Sequence, residues 1–169
     1  MVSTMTTEPL LNDLMDEAGV DRARLDAPGG QAWLTFLRAH ASLLRTLDRE
    51  LQRDAQLSLS DYDVLIQLAM ARGSMRMGDL ARRTLVSRSG ATRRVEQLER
   101  VGLVARRSAE QDRRLVTVAL TEVGVVALRR ATPVHAAGIA RSFVDKLSDD
   151  ELIALSDSLA KVVTECDFG

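Results

Sequence analysis

Apolar residues recur every three or four positions over three long parts of the chain, the spacing that places them on one face of an α-helix. These parts run from Gln31 to about Arg53, from Thr121 to about Asp145 with Pro133 as the expected kink, and across the C-terminal segment. The stripe of the first part comprises Trp33, Phe36, Leu37, His40, Leu44, Leu47 and Leu51. Stripes this long predict that each helix packs against another helix.

A helix-start signal lies between the first two long parts. Ser60 is the predicted cap of a helix that ends near Gly73, because Asp63 follows it by three residues and Leu59 can pack on Val64. This pattern predicts the first helix of a small central region.

Further caps define the helices that follow. A short helix is predicted over residues 78–84, and Ser87 is expected to cap a second one that ends in a left-handed turn at Gly102. Near the C-terminus, Ser148 and Glu151 form a capping box that predicts the start of the last helix.

After Gly102 the hydrophobic period changes to two, which predicts β-strands. LVARRSA and LVTVALT are the two predicted strands, with Val116, Val118 and Leu120 on one face and SAEQDRR as a polar connection. Two short helices followed by a hairpin form the winged helix-turn-helix pattern. The predicted fold is therefore mainly α, with a small two- or three-stranded β-wing.

Charge is distributed unevenly along this chain. The 169 residues carry a formal net charge of -1, with 46% hydrophobic and 28% charged residues, as in globular proteins. From Arg72 to Arg114, however, twelve arginines face five acidic residues, which gives +7, whereas the remainder carries -8. A basic middle between acidic ends predicts that a polyanion binds the middle of the chain.

The helix predicted after Ser87 has two different faces. Ala91, Val95 and Leu98 form a narrow apolar stripe that can pack on the preceding helices. Because each helical residue turns by about 100°, Arg93 lies on the side opposite this stripe. We therefore expect the arginine-bearing side to face solvent or a ligand.

This composition suits a helix that enters the major groove of DNA. The side chains at positions 89, 92 and 93 can reach base edges, whereas the arginines at 88 and 94 suit phosphates. The N-terminus of the helix adds backbone amides that bind phosphate. Glu96 either orients Arg93 or accepts a hydrogen bond from cytosine. The candidate DNA contacts on this helix are Ser87, Arg88, Ser89, Thr92, Arg93 and Arg94.

The predicted hairpin carries a second set of candidate contacts at or beside its tip, namely Asp112, Arg113 and Arg114. An arginine inserted into a narrow minor groove responds to groove width and negative potential. Asp112 is predicted to hold an arginine against the hairpin before DNA binds.

Three motifs in this region resemble those of the MarR-type (multiple antibiotic resistance regulator) family. They are S-R-S-x-x-T-R from Ser87 to Arg93, L-E-x-x-G-L-V from Leu98 to Val104, and the wing pattern D-x-R-x-x-x-V-x-L-T from Asp112 to Thr121. With the order of the flanking helices, the resemblance covers about residues 31–166.

The resemblance implies a ligand-responsive repressor that binds a palindromic operator as an intertwined helical homodimer. It divides the chain into an N-terminal arm (1–30), an N-terminal dimerisation helix (31–57), a winged helix-turn-helix head (58–121) and C-terminal dimerisation helices (122–169). The long apolar stripes independently call for a partner. The arm either moves freely or packs on the second subunit.

Family members often bind small aromatic or anionic effectors between the dimerisation helices and the DNA-binding head. The candidate residues for such a cleft are Trp33, Phe36, His40 and Tyr62. An alternative interpretation places Trp33 and Phe36 in the dimer core, and the histidines His40 and His135 on ordinary helix faces.

Other functional classes find less support in the sequence. The two histidines and Cys166 lack the local spacing of a zinc site, so no metal or cofactor is expected. Cys166 is either a thiol sensor or a small apolar residue in the dimer interface. There is no glycine-rich phosphate loop and no nucleophile with a nearby histidine base, which argues against an enzyme.

Neither a membrane-spanning apolar run nor a secretory signal is present in the sequence, so a cytoplasmic protein without membrane contact is expected. The alternative to DNA binding is a winged-helix module that binds another protein. Such a face would carry exposed aromatic residues or leucines, whereas positions 88–93 offer mostly serine, arginine and threonine.

Overall fold

The computed structural model describes the backbone of residues 28–109 and 112–163 and the side chains of 28–107 and 116–163. The interpretation of residues 1–30 as an arm therefore falls almost wholly outside the described residues, as does Cys166. The boundary between two compact units falls after Ser42, within the first helix.

The described residues form helices and a small sheet in the order expected for a winged helix-turn-helix. The elements are α1 (Gly29–Ala55), α2 (Leu59–Met70), β1 (Ser74–Arg76), α3 (Met77–Arg83), α4 (Arg88–Arg100), β2 (Val104–Ala109), β3 (Asp112–Leu120), α5 (Glu122–Ser142), a 3-10 turn (Val144–Lys146) and α6 (Asp149–Val163).

The predicted apolar stripe of α1 behaves differently at its two ends. Leu47, Leu51 and Ala55 are buried, and the carbonyl of Ala55 accepts a hydrogen bond from Arg130 Nη2 at 2.6 Å. Toward the N-terminus the large apolar side chains are exposed, from 39% to 57%, namely Trp33, Leu34, Phe36 and Leu37.

Helix α2 begins at a different cap from the predicted one. Ser58, not Ser60, has the extended backbone of a cap, and its Oγ accepts the backbone N–H of Asp61 at 3.1 Å. The hydroxyl of Ser58 also donates to Asp61 Oδ2 at 2.6 Å, which ties the cap to the helix two residues earlier than predicted. Ser60 lies in the first helical turn, so the prediction was wrong in register.

The helices of the central region end and start largely as expected. Ser87 Oγ accepts the N–H of Gly90 at 3.2 Å and caps α4. Gly102 has φ of 76°, and the N–H of Leu103 donates to the carbonyl of Leu98 at 2.9 Å, which is a Schellman end. These caps fix the residues at which α4 starts and ends.

The sheet has three antiparallel strands in the order β1-β3-β2. Ser74 pairs with Ala119, and Ala105 pairs with Ala119 on the other side of β3. The strands β2 and β3 extend to an Ala109–Asp112 pair, so most of SAEQDRR is strand and not the predicted connection. The backbone ladder continues through these polar residues because β-pairing does not require apolar side chains.

One core joins the helices to the sheet. Val118 of β3 is buried in a core that includes side chains from every helix of the head. Val116 and Leu120, on the same face of the strand, are half-buried. The fully buried large side chains include Leu51, Val64, Leu65, Leu68, Leu80, Val95, Leu98 and Val104.

Helix α5 is shorter than predicted. It begins after Thr121, whose Oγ1 accepts the N–H of Gly124 at 3.0 Å, and it continues past Pro133. It ends at Ser142 and not near Asp145, because the chain tightens into a 3-10 turn before α6.

The start of α6 is confirmed. The backbone N–H of Ser148 donates to Glu151 Oε2 at 2.9 Å, and the N–H of Glu151 donates to Ser148 Oγ at 3.4 Å. None of the helices in the described ranges is long and apolar enough to cross a membrane.

Candidate nucleic-acid interface

Helix α4 is anchored by the apolar stripe that its sequence predicts. Ala91, Val95 and Leu98 are at most 2% exposed and pack in the core beside α2 and α3. Their burial fixes the rotation of the helix about its axis. The opposite face is therefore presented to solvent.

That opposite face carries the predicted DNA contacts. Ser87, Arg88, Ser89, Thr92 and Arg93 are all exposed. The hydroxyl of Thr92 donates to the carbonyl of Arg88 at 3.2 Å, which leaves its oxygen free to accept. The structure thus brings these five side chains together on one surface.

The arginines of α4 differ in how strongly the protein already holds them. Arg94 is half-buried and lies 3.5 Å from Asp61 Oδ1 and from Gln97 Oε1. Arg100 Nε donates to the carbonyl of Glu96 at 3.3 Å. Within the described side chains, Arg88 and Arg93 have neither an ion pair nor a hydrogen bond through their guanidinium groups. Those two cations are the ones available to a ligand without rearrangement.

A concave surface of about 510 Å³ runs along the N-terminal half of α4. It is lined by the unpaired Arg93 and by Arg94, which contacts Asp61. The other lining residues are Val86, Ser87, Gly90 and Gln97. A side chain at Gly90 would approach Ser87 Oγ to 3.2 Å and Val86 to 3.3 Å. Glycine therefore keeps the backbone close to the capping serine at the floor of this surface.

The wing is joined to α4 by ion pairs. Arg106 Nε on β2 donates to Glu99 Oε2 at 2.7 Å, and the backbone N–H of Arg106 donates to Glu99 Oε1 at 3.1 Å. Glu96 lies 3.6 Å from the same guanidinium. Neither interpretation offered for Glu96 anticipated this partner, since Glu96 pairs with Arg106 rather than with Arg93.

This connection between α4 and β2 was not predictable from the sequence pattern. Glu99 and Arg106 lie on different elements, and neither helical nor strand periodicity relates residues across a turn. The sequence showed only that an acidic residue, Glu99, near the end of α4 is followed by an arginine, Arg106, early in β2.

The three candidate contacts of the wing lie at the start of β3. The backbone of Asp112 pairs with Ala109. The side chains of Asp112, Arg113 and Arg114 lie outside the described residues, so their roles stay predictions.

The candidate cleft residues take part in two sets of ring contacts. Trp33, Phe36 and His40 follow one another along α1, with ring centroids 6.2 Å and 6.0 Å apart. Tyr62 is 5% exposed, and the centroid of its ring lies 4.4 Å from that of His135 on α5. Burial lowers the pKa of His135, and the nearby charge of Asp63 opposes this effect in part.

Two buried carboxylates organise the region in front of α4. Asp63 Oδ2 accepts the backbone N–H of Leu85 at 2.7 Å, which fixes the turn between α3 and α4. Asp61 accepts the hydroxyl of Ser58, the cap of α2, through Oδ2, and its Oδ1 faces Arg94. The sequence pattern marked Asp63 only as part of a helix start, and it did not indicate the contacts of either carboxylate with the helix-turn-helix.

No group of three or more histidine, cysteine, aspartate or glutamate side chains suited to a metal ion occurs among the side chains described.

Comparison with known proteins places this architecture in context. A family model described as the MarR family matches residues 55–115. An uncharacterized HTH-type transcriptional regulator of Bacillus cereus is 31% identical over 134 residues, covering 79% of this chain and 88% of that protein.

Two solved structures from Streptomyces coelicolor are similar to most of this chain. AbsC, a MarR family transcriptional regulator, is 33% identical with a TM-score of 0.75, covering 81% of this chain and 93% of that one. Sco3205, a MarR family regulator solved in complex with DNA, is 29% identical with a TM-score of 0.77, covering 82% of this chain and 88% of that one. The fold thus has counterparts among solved MarR family regulators.

Proposed function

This chain belongs to the MarR family of transcriptional regulators, and from that premise we propose that it binds a palindromic operator in double-stranded DNA as a homodimer. The observation that carries the proposal is the exposed face of α4, where Arg88 and Arg93 have no partner among the described side chains and the opposite face is buried. A rigidly held helix with free cations suits the major groove.

Each element of the head has a distinct role in this proposal. Arg93, Ser89 and Thr92 contact base edges, while Arg88 and the capped N-terminus of α4 contact phosphates. Arg94 exchanges part of its contact with Asp61 for a phosphate. The wing enters the minor groove with Arg113 and Arg114, and Asp112 braces them.

The dimer would use the helices outside the head. Residues 31–57 and 122–169 flank the head at 58–121, and α1 exposes large apolar side chains at its N-terminal end. Helix α6 has no buried residue in the described chain, although Leu152, Leu155 and Leu159 form a half-exposed stripe. Two-fold symmetry would then place the recognition helices about one DNA turn apart, ~34 Å.

Regulation would follow from this arrangement. A repressor occupies its operator until an effector disfavours the DNA-binding arrangement of the heads. We place this activity in the cytoplasm, where a bacterial chromosome lies. Trp33, Phe36, His40 and Tyr62 remain the candidates for an effector cleft.

Selection from a random DNA library with the purified protein tests the proposal. The selected duplex and a scrambled duplex are then compared at several salt concentrations, because phosphate contacts give a steep salt dependence. We expect a palindromic sequence and a large specificity ratio. Weak binding of equal strength to both duplexes would refute sequence-specific regulation and favour a protein-binding head.

A further inference from the structure

The outer face of the three-stranded sheet carries two arginines that the roles assigned above to α4 and the hairpin tip do not include. Arg76 of β1 pairs with Thr117 of β3, and Thr117 pairs on its other side with Arg107 of β2. Residues directly opposite one another in a sheet project from the same face. Arg76, Thr117 and Arg107 therefore form one row across the sheet, the arginine row, with a cation at each end.

The arginine row lies on the solvent side of the sheet. Val118, the neighbour of Thr117 along β3, is buried in the core, and successive residues of a strand alternate between the two faces. The same alternation occurs in β2, where Arg106 contacts Glu99 of α4 while Arg107 is exposed. The core thus holds the sheet from one side and leaves the arginine row on the other.

Both guanidinium groups of the row are available to a ligand. Arg76 and Arg107 are exposed, and neither guanidinium has an ion pair or a hydrogen bond among the described side chains. The next row on the same face consists of the small residues Ser74, Ala119 and Ala105. Arginine binds a phosphate group through two parallel hydrogen bonds. Small neighbouring side chains allow a phosphate backbone to approach the sheet closely.

The spacing of the two arginines suits a strand of nucleic acid. Two interstrand distances of about 4.8 Å separate their backbones by about 10 Å, which corresponds to about three phosphates along one DNA strand at a rise of about 3.4 Å. The described side chains of these two rows include no large apolar group of the kind that forms the core of a protein interface. A phosphate backbone is therefore a better match for this face than an acidic protein.

The proposed complex brings DNA to the same part of the molecule. Strands β2 and β3 lead from the arginine row to the hairpin tip assigned to the minor groove, and a duplex is stiff over about 150 base pairs, so it continues past the sheet. We propose that Arg76 and Arg107 bind phosphates beyond the base pairs that α4 contacts, on the side of the hairpin. This inference rests on the proposed function and extends the DNA contact to a further face of the head.

Two duplexes test this contact with the full-length protein. One carries only the selected operator, and the other adds about ten base pairs of unrelated sequence, roughly one helical turn, at each end. The affinity for each duplex is measured at several salt concentrations. We expect a steeper salt dependence on the longer duplex, by about 0.9 in the slope of log affinity against log salt for each added phosphate contact.

The double variant Arg76→Gln with Arg107→Gln should lose most of this difference in slope. Its binding to the operator alone should stay unchanged, because the lost contacts lie outside the operator. The matched control is Arg45→Gln with Arg129→Gln, which removes the same charge from exposed helix positions without a partner among the described side chains. This control should keep the slope difference of the unchanged protein.

Three results would overturn the inference. A double variant of the arginine row that keeps the full slope difference would show that the row does not bind the flanking DNA. An equal loss in the control would assign the effect to net charge and not to contact. Methyl NMR shifts of Ala105 and Ala119 with tetraglutamate, together with no gain from the longer duplex, would identify the face as a surface for an acidic protein.

Failure of this inference is distinguishable from failure of the proposed function. Specific binding of the operator without any gain from the flanks contradicts the role of the arginine row alone. Equal binding of the selected and scrambled duplexes contradicts the proposed function, and the contact of the row with flanking DNA falls with it. If the double variant is unstable on heating, the single variants Arg76→Gln and Arg107→Gln decide the question, each with a smaller loss of the slope difference.

Discussion

At the scale of single residues, the arginines of α4 separate into those that the protein already uses and those that it leaves free. Arg94 contacts Asp61, and Arg100 contacts a backbone carbonyl of its own helix. Arg88 and Arg93 have no such contacts among the described side chains. A charge that is already compensated gains less from a new partner, so these two are the stronger candidates for direct contact with DNA.

Arg93→Ala should therefore reduce sequence preference. If Arg93 makes a bidentate contact with a base, its loss costs about 1–3 kcal/mol on the selected operator and little on scrambled DNA. The measurement is the affinity for both duplexes at one salt concentration. Arg94→Ala is the matched control, and it should weaken both duplexes alike. Equal losses for Arg93→Ala on the two duplexes would contradict the base contact.

Gly124 is a residue whose importance lies in close packing. A Cβ at this position would lie closer than 3.0 Å to the carbonyl oxygen of Leu103, a backbone atom that cannot move aside cheaply. Gly124→Ala should lower the free energy of unfolding by about 1–3 kcal/mol, as overpacking does. Urea denaturation measures this change.

Gly78→Ala provides the matched control for this substitution. A Cβ at Gly78 in helix α3 meets nothing within 4 Å, so alanine there should stabilise the protein by about 0.5–1 kcal/mol. A Gly124→Ala protein as stable as the unchanged chain would show that the strand–helix junction can relax.

At the scale of elements, the helices and strands follow from local patterns, whereas the contacts between them do not. The stripe of α4, its Ser87 cap and its Gly102 end were predictable, because each depends on residues within one or two turns. The contact between Asp63 and the Leu85 backbone joins residues 22 positions apart, and no local period encodes it.

The misplaced cap of α2 shows where local reasoning fails. Ser58 and Ser60 both precede an acidic residue by three positions, so the capping-box pattern alone cannot choose between them. The backbone N–H of Leu59 donates to Asp48 Oδ1 of α1 at 2.8 Å. This contact with another element accompanies the earlier start, and its geometry is absent from the sequence.

The packing of α2 on α5 makes stability depend on pH. Burial lowers the folded-state pKa of His135 below its ordinary value of 6.5, so the unfolded chain binds this proton more readily. The resulting stability is fully present above pH 6.5 and is lost as the pH falls through the folded-state pKa.

His135→Phe should flatten this dependence, because phenylalanine keeps a ring against Tyr62 but does not titrate. Urea denaturation at intervals between pH 7.5 and pH 5 measures the slope, with the two pH limits chosen about one unit or more from the ordinary histidine pKa. His40→Phe is the control, since that histidine is exposed on α1. If the slopes of His135→Phe and the unchanged protein coincide, His135 does not titrate differently in the folded state.

At the scale of the whole molecule, the exposed apolar side chains of α1 need an explanation. Trp33 is 57% exposed and Phe36 is 43% exposed, and large apolar groups clustered on one helix face commonly mark a binding surface. A homodimer would bury them, and it would also present two α4 helices to the two halves of a palindrome. Under the proposed function, oligomeric state and operator symmetry would both depend on this one surface.

If α1 forms the proposed dimer interface, Phe36→Glu should make the protein monomeric at micromolar concentration. A glutamate at an exposed position costs a monomer little, whereas its burial in an apolar interface removes a charge from water without a partner. Sedimentation equilibrium gives the mass, and circular dichroism verifies that the helices persist.

Arg38→Glu is the control, because it introduces the same side chain at an exposed position two residues along α1, toward the other side of the helix. The operator affinity of Phe36→Glu should fall with the loss of the dimer, since a single head contacts only half of the palindrome. A Phe36→Glu protein that remains dimeric would place the interface elsewhere, and would leave Trp33 and Phe36 to an effector or another partner.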